Sequence, residues 1–190
     1  MTNPAPLPET PVLETPRLVL RPLRFEDAPA AQRYFPHWEI VRWLHAGVPW
    51  PYPADGAEIH IRKCLEQRAR GERFFWAICL KDAPSELIGV IELWPDDGSH
   101  DQRGFWIASE FQGRGLMTEA ADRVTEYAFL QLGWPQLWLT NAAGNIASHR
   151  VKERQGAQLV NKVEKQYVSG KSSAEVWLLR SEDWTRRRNI

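Results

Sequence analysis

Two hydrophobic periods take turns along this chain, and their order predicts its architecture. In Leu18-Val19-Leu20-Arg21, Leu18 and Leu20 alternate with Val19 and Arg21, the two-residue period of a strand, and Pro22 ends it. Phe25-Glu26-Asp27 then offers polar capping residues to a helix carrying Ala28, Ala31 and Tyr34. Residues 36–53 show no period; Trp38, Trp43 and Trp50 stand among clustered prolines, and the segment reads as irregular. From about residue 55 to 70 a helix is predicted with Ile59, Cys64 and Leu65 near one face, stopped by Gly71. Three strand-like runs follow, 74–80, 86–94 and 103–108. Asp82-Ala83-Pro84-Ser85 and Asp96-Asp97-Gly98-Ser99 separate them with turn chemistry, which predicts an antiparallel meander.

The period then changes. Leu116, Ala120, Val124, Tyr127 and Ala128 fall on one face of a helix, with Glu119 and Arg123 paired outward, and Gly133 and Pro135 supply the stop. A strand at 136–140, a helix at 145–155 closed by Gly156, and strands at 158–168 and 174–180 complete the pattern. The sequence thus predicts an α+β fold, a mixed sheet in one domain spanning 13–182. Residues 1–12, with four prolines, read as a flexible lead-in, and 183–190, with Arg186-Arg187-Arg188, as a solvated basic tail.

Composition removes several functions. Lysine plus arginine equals aspartate plus glutamate at 24 each, so no electrostatic case exists for nucleic acid as the main partner. Cys64 and Cys79 form no Cys-x-x-Cys pair and are expected to be reduced and packed. The histidines at 37, 45, 60, 100 and 149 lack metal-site spacing, so no metal is expected. No apolar run approaches the ~20 residues that span a bilayer, and the start carries prolines instead of a basic segment and apolar core. A cytoplasmic protein without a membrane partner is expected.

The chemistry concentrates at Gln112-Gly113-Arg114-Gly115-Leu116-Met117, where a strand turns into a helix. Glycines permit a tight turn and keep side chains away from an anion, while free amides and the helix dipole favour a phosphate. Arg114 can add a charge-assisted contact. Alternatively, Gly113 and Gly115 only permit the turn. A dinucleotide fingerprint needs a third glycine where Thr118 stands, and no Gly-x-x-x-x-Gly-Lys-Ser/Thr pattern occurs.

This turn resembles the signature Arg/Gln-x-x-Gly-x-Gly/Ala of the N-acetyltransferase superfamily that uses acetyl-coenzyme A, called GNAT. Met117 departs from the usual small last residue, yet QGRGLMTEA is similar to the RimJ/RimL-type branch that acetylates ribosomal-protein amino termini. Leu13-Glu14-Thr15-Pro16-Arg17-Leu18-Val19-Leu20-Arg21 resembles that branch's first strand and Gly104-Phe105-Trp106-Ile107 its fourth. Residues 145–156 match Asn-x-x-Ser-x-x-x-x-x-Lys/Arg-x-Gly, with Ala157 where an aromatic residue is common. The resemblance implies the GNAT acyl-CoA N-acyltransferase fold, a central, mostly antiparallel sheet flanked by helices, and direct attack of an amine on the acetyl thioester.

By the same resemblance, Gln112, Gly113, Arg114, Gly115, Leu116 and Met117 cradle the pyrophosphate, and the strand edge at Trp106 and Ile107 pairs with the pantetheine arm. Asn145 hydrogen-bonds the pantetheine, and Arg150 or Arg154 reaches the adenosine phosphates. Ser148 acts as general acid, or as a donor to the thiolate. Glu92 is the candidate base, with Glu164 or a water chain as rivals. Trp38, Trp43, Trp50 and Tyr52 wall the acceptor groove. The acceptor is an amine, either a protein amino terminus or a small molecule such as a polyamine, amino acid or aminoglycoside. A non-catalytic acyl-coenzyme A sensor is the alternative of a different class, and a homodimer is allowed.

Overall fold

Alternation builds the first sheet. In the computed structural model, which describes residues 6–189, it has five antiparallel strands in the order β1 (Leu13–Glu14), β2 (Leu18–Pro22), β3 (Phe74–Leu80), β4 (Gly89–Leu93) and β5 (Arg103–Ile107). β3 is buried on both faces, which is why it reads as a continuous apolar run. Phe74, Trp76 and Ile78 meet α4 (Leu116–Glu126) through Leu116, Ala120 and Val124. Phe75, Ala77 and Cys79 meet α1 (Ala28–Tyr34) and α3 (Gly56–Ala69) through Ala31, Ala57, Ile61 and Cys64. Ile59, expected on that inner face, is 60% exposed; Ile61 takes the buried place, three residues before Cys64.

The 36–53 segment holds one helical turn, α2 (Trp38–Val41), and is latched to the far end of the molecule. Ala46 N–H donates to Gln166 O at 3.1 Å, and Val168 N–H donates to Leu44 O at 2.9 Å. A second antiparallel sheet has β8 (Gly170–Arg180) between β6 (Gln136–Ala142) and β7 (Gln158–Tyr167). α5 (Ile146–Gln155) follows β6. After α4 the helix continues as a π-helical turn, Tyr127–Gln131.

Both ends are better tied than expected. Residues 1–5 of the lead-in and Ile190 of the tail lie outside the described residues. Leu7 N–H donates to Gly71 O, and Trp76 Nε1–H donates to Pro11 O at 2.7 Å. Residues 181–188, expected as the last two residues of the domain and most of a solvated tail, form α6 (Ser181–Arg188), whose Trp184 is 1% exposed in the main core. Arg186 and Arg187 stay exposed, whereas Arg188, one turn on from Trp184, stacks on its ring and pairs with Asp122 at 2.8 Å. The Glu119–Arg123 pairing does not form either. Glu119 reaches back to the first strands, accepting from Thr15 Oγ1 at 2.6 Å and Arg17 N–H at 2.9 Å, and Arg123 pairs with Glu126. Among the described residues no helix is long and apolar enough to cross a membrane.

Candidate active site

The two sheets join at one corner and part beyond it. Gln102 N–H donates to Trp138 O at 2.9 Å, Trp138 N–H donates to Gln102 Oε1, and Asp101 accepts from Thr140 Oγ1 at 2.6 Å. Past this corner no backbone bond links β5 to β6 among the described residues. Ala108 N–H donates to Ile88 O, and Trp94 N–H donates to Gln102 O. By antiparallel alternation the even-numbered residues of β5 face β4, so the main-chain groups of Phe105 and Ile107 face the open edge. Trp106, expected at that edge, turns its main chain to β4 and sets its ring against Phe35.

A cleft of about 290 Å³ opens along this edge, lined by Phe105, Trp106 and Ile107, by the glycine turn, and by the head of α5. Trp43 and Leu44 close its far wall.

Gly113 and Gly115 have φ of 73° and 75°, conformations that other residues rarely adopt, so the turn requires glycine for its backbone. A Cβ at Gly113 would meet nothing within 4 Å, leaving its amide open. Among the described residues, none of the N–H groups from Gly113 to Thr118 has a hydrogen-bond partner. Six successive unpaired amides at a helix start form an anion site of the kind that holds a phosphate. Of the amides expected in the cradle, that of Gln112 donates to Ser109 O at 3.2 Å instead, and the side chains of Gln112 and Arg114 serve the loop. Gln112 Nε2 donates to Ile107 O at 3.1 Å, pinning the turn to β5. Arg114 lies over Phe111, while its carbonyl accepts from Arg17. Arg150 and Arg154 line the cleft and supply positive charge.

At the head of α5, Asn145 caps the helix by accepting Ser148 N–H on Oδ1 at 3.1 Å. One lone pair of its Oδ1 is therefore taken, and its amide NH₂ can donate to a ligand. Ser148 lines the cleft. Behind it stands a residue that the sequence reading missed. Lys152 is 1% exposed, and its Nζ lies 2.8 Å from Ser148 Oγ and 5.5 Å from the centre of the Phe105 ring. Burial, together with the nearby Arg103 guanidinium, pulls its amine down to about 7. The i, i+4 spacing puts Lys152 on the face of Ser148, but an otherwise polar helix gave no sign that this face is inside.

The two candidate bases stand elsewhere. Glu92 does not line the cleft; it sits on the opposite face of the first sheet, where Arg73 Nη1 donates to Oε2 at 3.2 Å. A Cβ on Gly104, its partner in the β4–β5 register, would fall 2.6 Å from Glu92 Oε1, so the carboxylate occupies the space that a side chain would fill. Burial pushes Glu92 up from the ordinary carboxylate range, against the pull of Arg73. Glu164 pairs with Lys171 on the exposed β7–β8 hairpin, its side chain 72% exposed, away from the cleft. Of the four aromatic wall residues, Trp43 alone lines the cleft. Trp38 and Trp50 pack on each other at the surface, and Tyr52 contacts Phe35 on the α1–α3 side. No group of three or more His, Cys, Asp or Glu that could hold a metal occurs among the described residues.

Comparison with known proteins agrees with this geometry. A family profile described as "Acetyltransferase (GNAT) domain" matches residues 17–158. YoaA of Bacillus subtilis strain 168, named an uncharacterised N-acetyltransferase, is 30% identical over 150 residues, covering 78% of this chain and 83% of YoaA. The ribosomal-protein-S5-alanine acetyltransferase of Vibrio fischeri superposes with a TM-score of 0.75 at 16% identity, over 92% of this chain and 98% of that one. Mycobacterium smegmatis RimJ, solved with a coenzyme A disulfide, gives 0.76 at 18% identity, over 91% and 87%. The two solved structures show a shared fold.

Proposed function

This chain belongs to the GNAT acetyltransferase family and is an N-acetyltransferase; from that premise we propose that it acetylates the amino terminus of a protein. The observation that carries the cofactor reading is the run of six unpaired amides, Gly113 to Thr118, opening on a cleft that leads along a free strand edge to Ser148. These residues fit acetyl-coenzyme A, whose diphosphate the amides would hold, with the groups of Phe105 and Ile107 along the pantetheine arm. When bound, the thioester supplies an acetyl group activated for direct attack by an amine.

Ser148 donates to the departing sulfur, and Asn145 holds the arm through its amide NH₂. Glu92, which does not itself line the cleft, takes the proton of the acceptor amine by way of water. Its raised affinity for a proton suits a base. An amino-terminal amine titrates near ~8, so this base faces a weaker demand than lysine at ~10.4 would impose. A protein acceptor is supported by the ribosomal-protein acetyltransferase that shares the fold.

Calorimetry with coenzyme A, followed by free-thiol release over a panel of amino-terminal peptides, polyamines, amino acids and aminoglycosides, tests the reading. Ser148→Ala should lower kcat by roughly 10²-fold with KM for acetyl-coenzyme A nearly unchanged, and Glu92→Gln should remove the acidic limb of the pH profile. Coenzyme A uptake without turnover on any amine would make this a sensor. No uptake would end the reading altogether.

A further inference from the structure

Two buried cations lie in the layer between β5 and α5; neither has a carboxylate partner, and they differ in how many neutral acceptors each finds. Arg103 donates to Thr125 Oγ1 and Gln155 Oε1, both at 2.7 Å, and to Ala121 O at 3.4 Å. Lys152 has one short bond, the 2.8 Å contact to Ser148 Oγ, besides a 3.5 Å approach to Ser148 O. An ammonium has protons to give and no lone pair, so when charged it must donate to Oγ. The hydroxyl proton of Ser148 must then point away from Lys152, and the free side of Ser148 borders the cleft.

Resting on the acetyltransfer reading above, we propose that Lys152 is a positioning residue for Ser148: its ammonium turns the serine hydroxyl proton into the cleft and refills the oxygen once that proton has been given to sulfur. In the step, the carbon–sulfur bond breaks with its electron pair on sulfur, and Ser148 passes its O–H proton to that sulfur. Lys152 passes one N–H proton to Oγ. The neutral amine then takes a proton from solvent, equal to the one the acceptor nitrogen released in forming its bond to the acetyl carbon. Nothing is oxidised or reduced.

The groups that set the charge of Lys152 come from several elements. Arg103 on β5 opposes it, and Asp101 before β5 and Glu175 on β8 favour it. Glu175 is itself engaged by Asn141 Nδ2 at 2.9 Å and His149 Nδ1 at 2.8 Å. Phe105 offers its ring face, a weak attraction for the charged form. The arrangement lets the amine change charge near neutrality, with the serine as its acceptor when charged.

The test uses the full chain with carbon-13 at the lysine ε position. In the unliganded protein one lysine should titrate well below the others, and Ser148→Ala should move that titration further down by half a pH unit or more, because the cation loses its acceptor. A titration unmoved by Ser148→Ala overturns the proposal, whether or not any Lys152 variant folds. In a second arm the ultraviolet absorbance of the bound coenzyme A thiolate is followed against pH. Lys152→Met and Ser148→Ala should each raise the apparent thiol pKa by a similar amount, and the double variant should raise it no further. If Ser148→Ala moves the thiol and Lys152→Met does not, Lys152 is merely a packed residue. Absence of coenzyme A uptake would instead bring down the acetyltransfer reading and this proposal with it, whereas the lysine titration reports on the contact alone.

Discussion

Arg21 and Lys152 are both buried cations, and the protein serves them in opposite ways. Arg21 forks onto Asp27, with Nη1 at 2.9 Å from Oδ2 and Nη2 at 2.6 Å from Oδ1, and its remaining protons go to the carbonyls of Pro84, Ser85 and Pro22. Asp27 also accepts Arg24 N–H at the head of the first helical turn. The hydrogen bond to Asp27 holds the guanidinium above its ordinary value. Lys152 has no carboxylate, only a hydroxyl and a ring, and burial pulls it down to about 7. The first arrangement fixes a charge and welds strand to helix. The second leaves a charge that can change near neutral pH, beside the cleft.

The largest expected effect comes from breaking the welded side. Asp27→Ala leaves Arg21 buried beside β3 without its counter-charge and removes the acceptor of Arg24 N–H. Loss of one partner from a buried pair costs about 3–5 kcal/mol, which denaturant unfolding would read directly. A loss under about 1 kcal/mol would mean that water reaches the guanidinium, and the contrast with Lys152 would disappear.

The second effect has a sign that depends on pH. The folded state lowers the Lys152 amine from its ordinary 10.5 to about 7. Between those values the unfolded chain holds a proton that the native chain lacks, so stability rises with pH across that window. Below about 7 both states are protonated and the native state carries the full cost of the buried charge. Lys152→Met removes the group, so a few kcal/mol of this rise should vanish, with wild type and variant converging above the window. Unfolding curves taken at a series of pH values check it. A wild-type slope identical to that of Lys152→Met would show that Lys152 keeps its ordinary affinity for protons.

These differences explain what the sequence made legible. The β3, β4 and β5 meander was readable because β3 is apolar on both faces and Gly98 and its neighbours break the chain between β4 and β5. The glycine turn was readable because its left-handed φ values need glycine, which leaves a mark in sequence. Lys152 left no mark, since a lysine on a polar helix is ordinarily solvated and only the packing of β5 against α5 encloses it. Trp184 was hidden for the mirror reason: the basic run of α6 drew attention to its solvated face. Glu92 was legible as a strand glutamate beside β5, but which face it took depends on the register that sets it over Gly104.

The smallest effect tests a third way of holding a cation, on the surface. Arg123 meets Glu126 at 3.2 Å with side chains 26% and 42% exposed, three residues apart on α4. Water competes for both charges, and ordering two long side chains offsets much of the attraction, so Arg123→Ala should change stability by no more than about 0.5 kcal/mol. Glu119 on the same helix differs, because three donors from Thr15 and Arg17 converge on it and hold its carboxyl below the ordinary range despite partial burial. That carboxylate contributes stability above its unfolded value and loses it as pH falls through the lower folded one. The stability difference between Glu119→Gln and wild type should therefore shrink in acid, while that of Arg123→Ala stays small throughout. Were Arg123→Ala to cost as much as Glu119→Gln at neutral pH, the outward pairing of Glu119 with Arg123 would replace the attachment of α4 to the first strands.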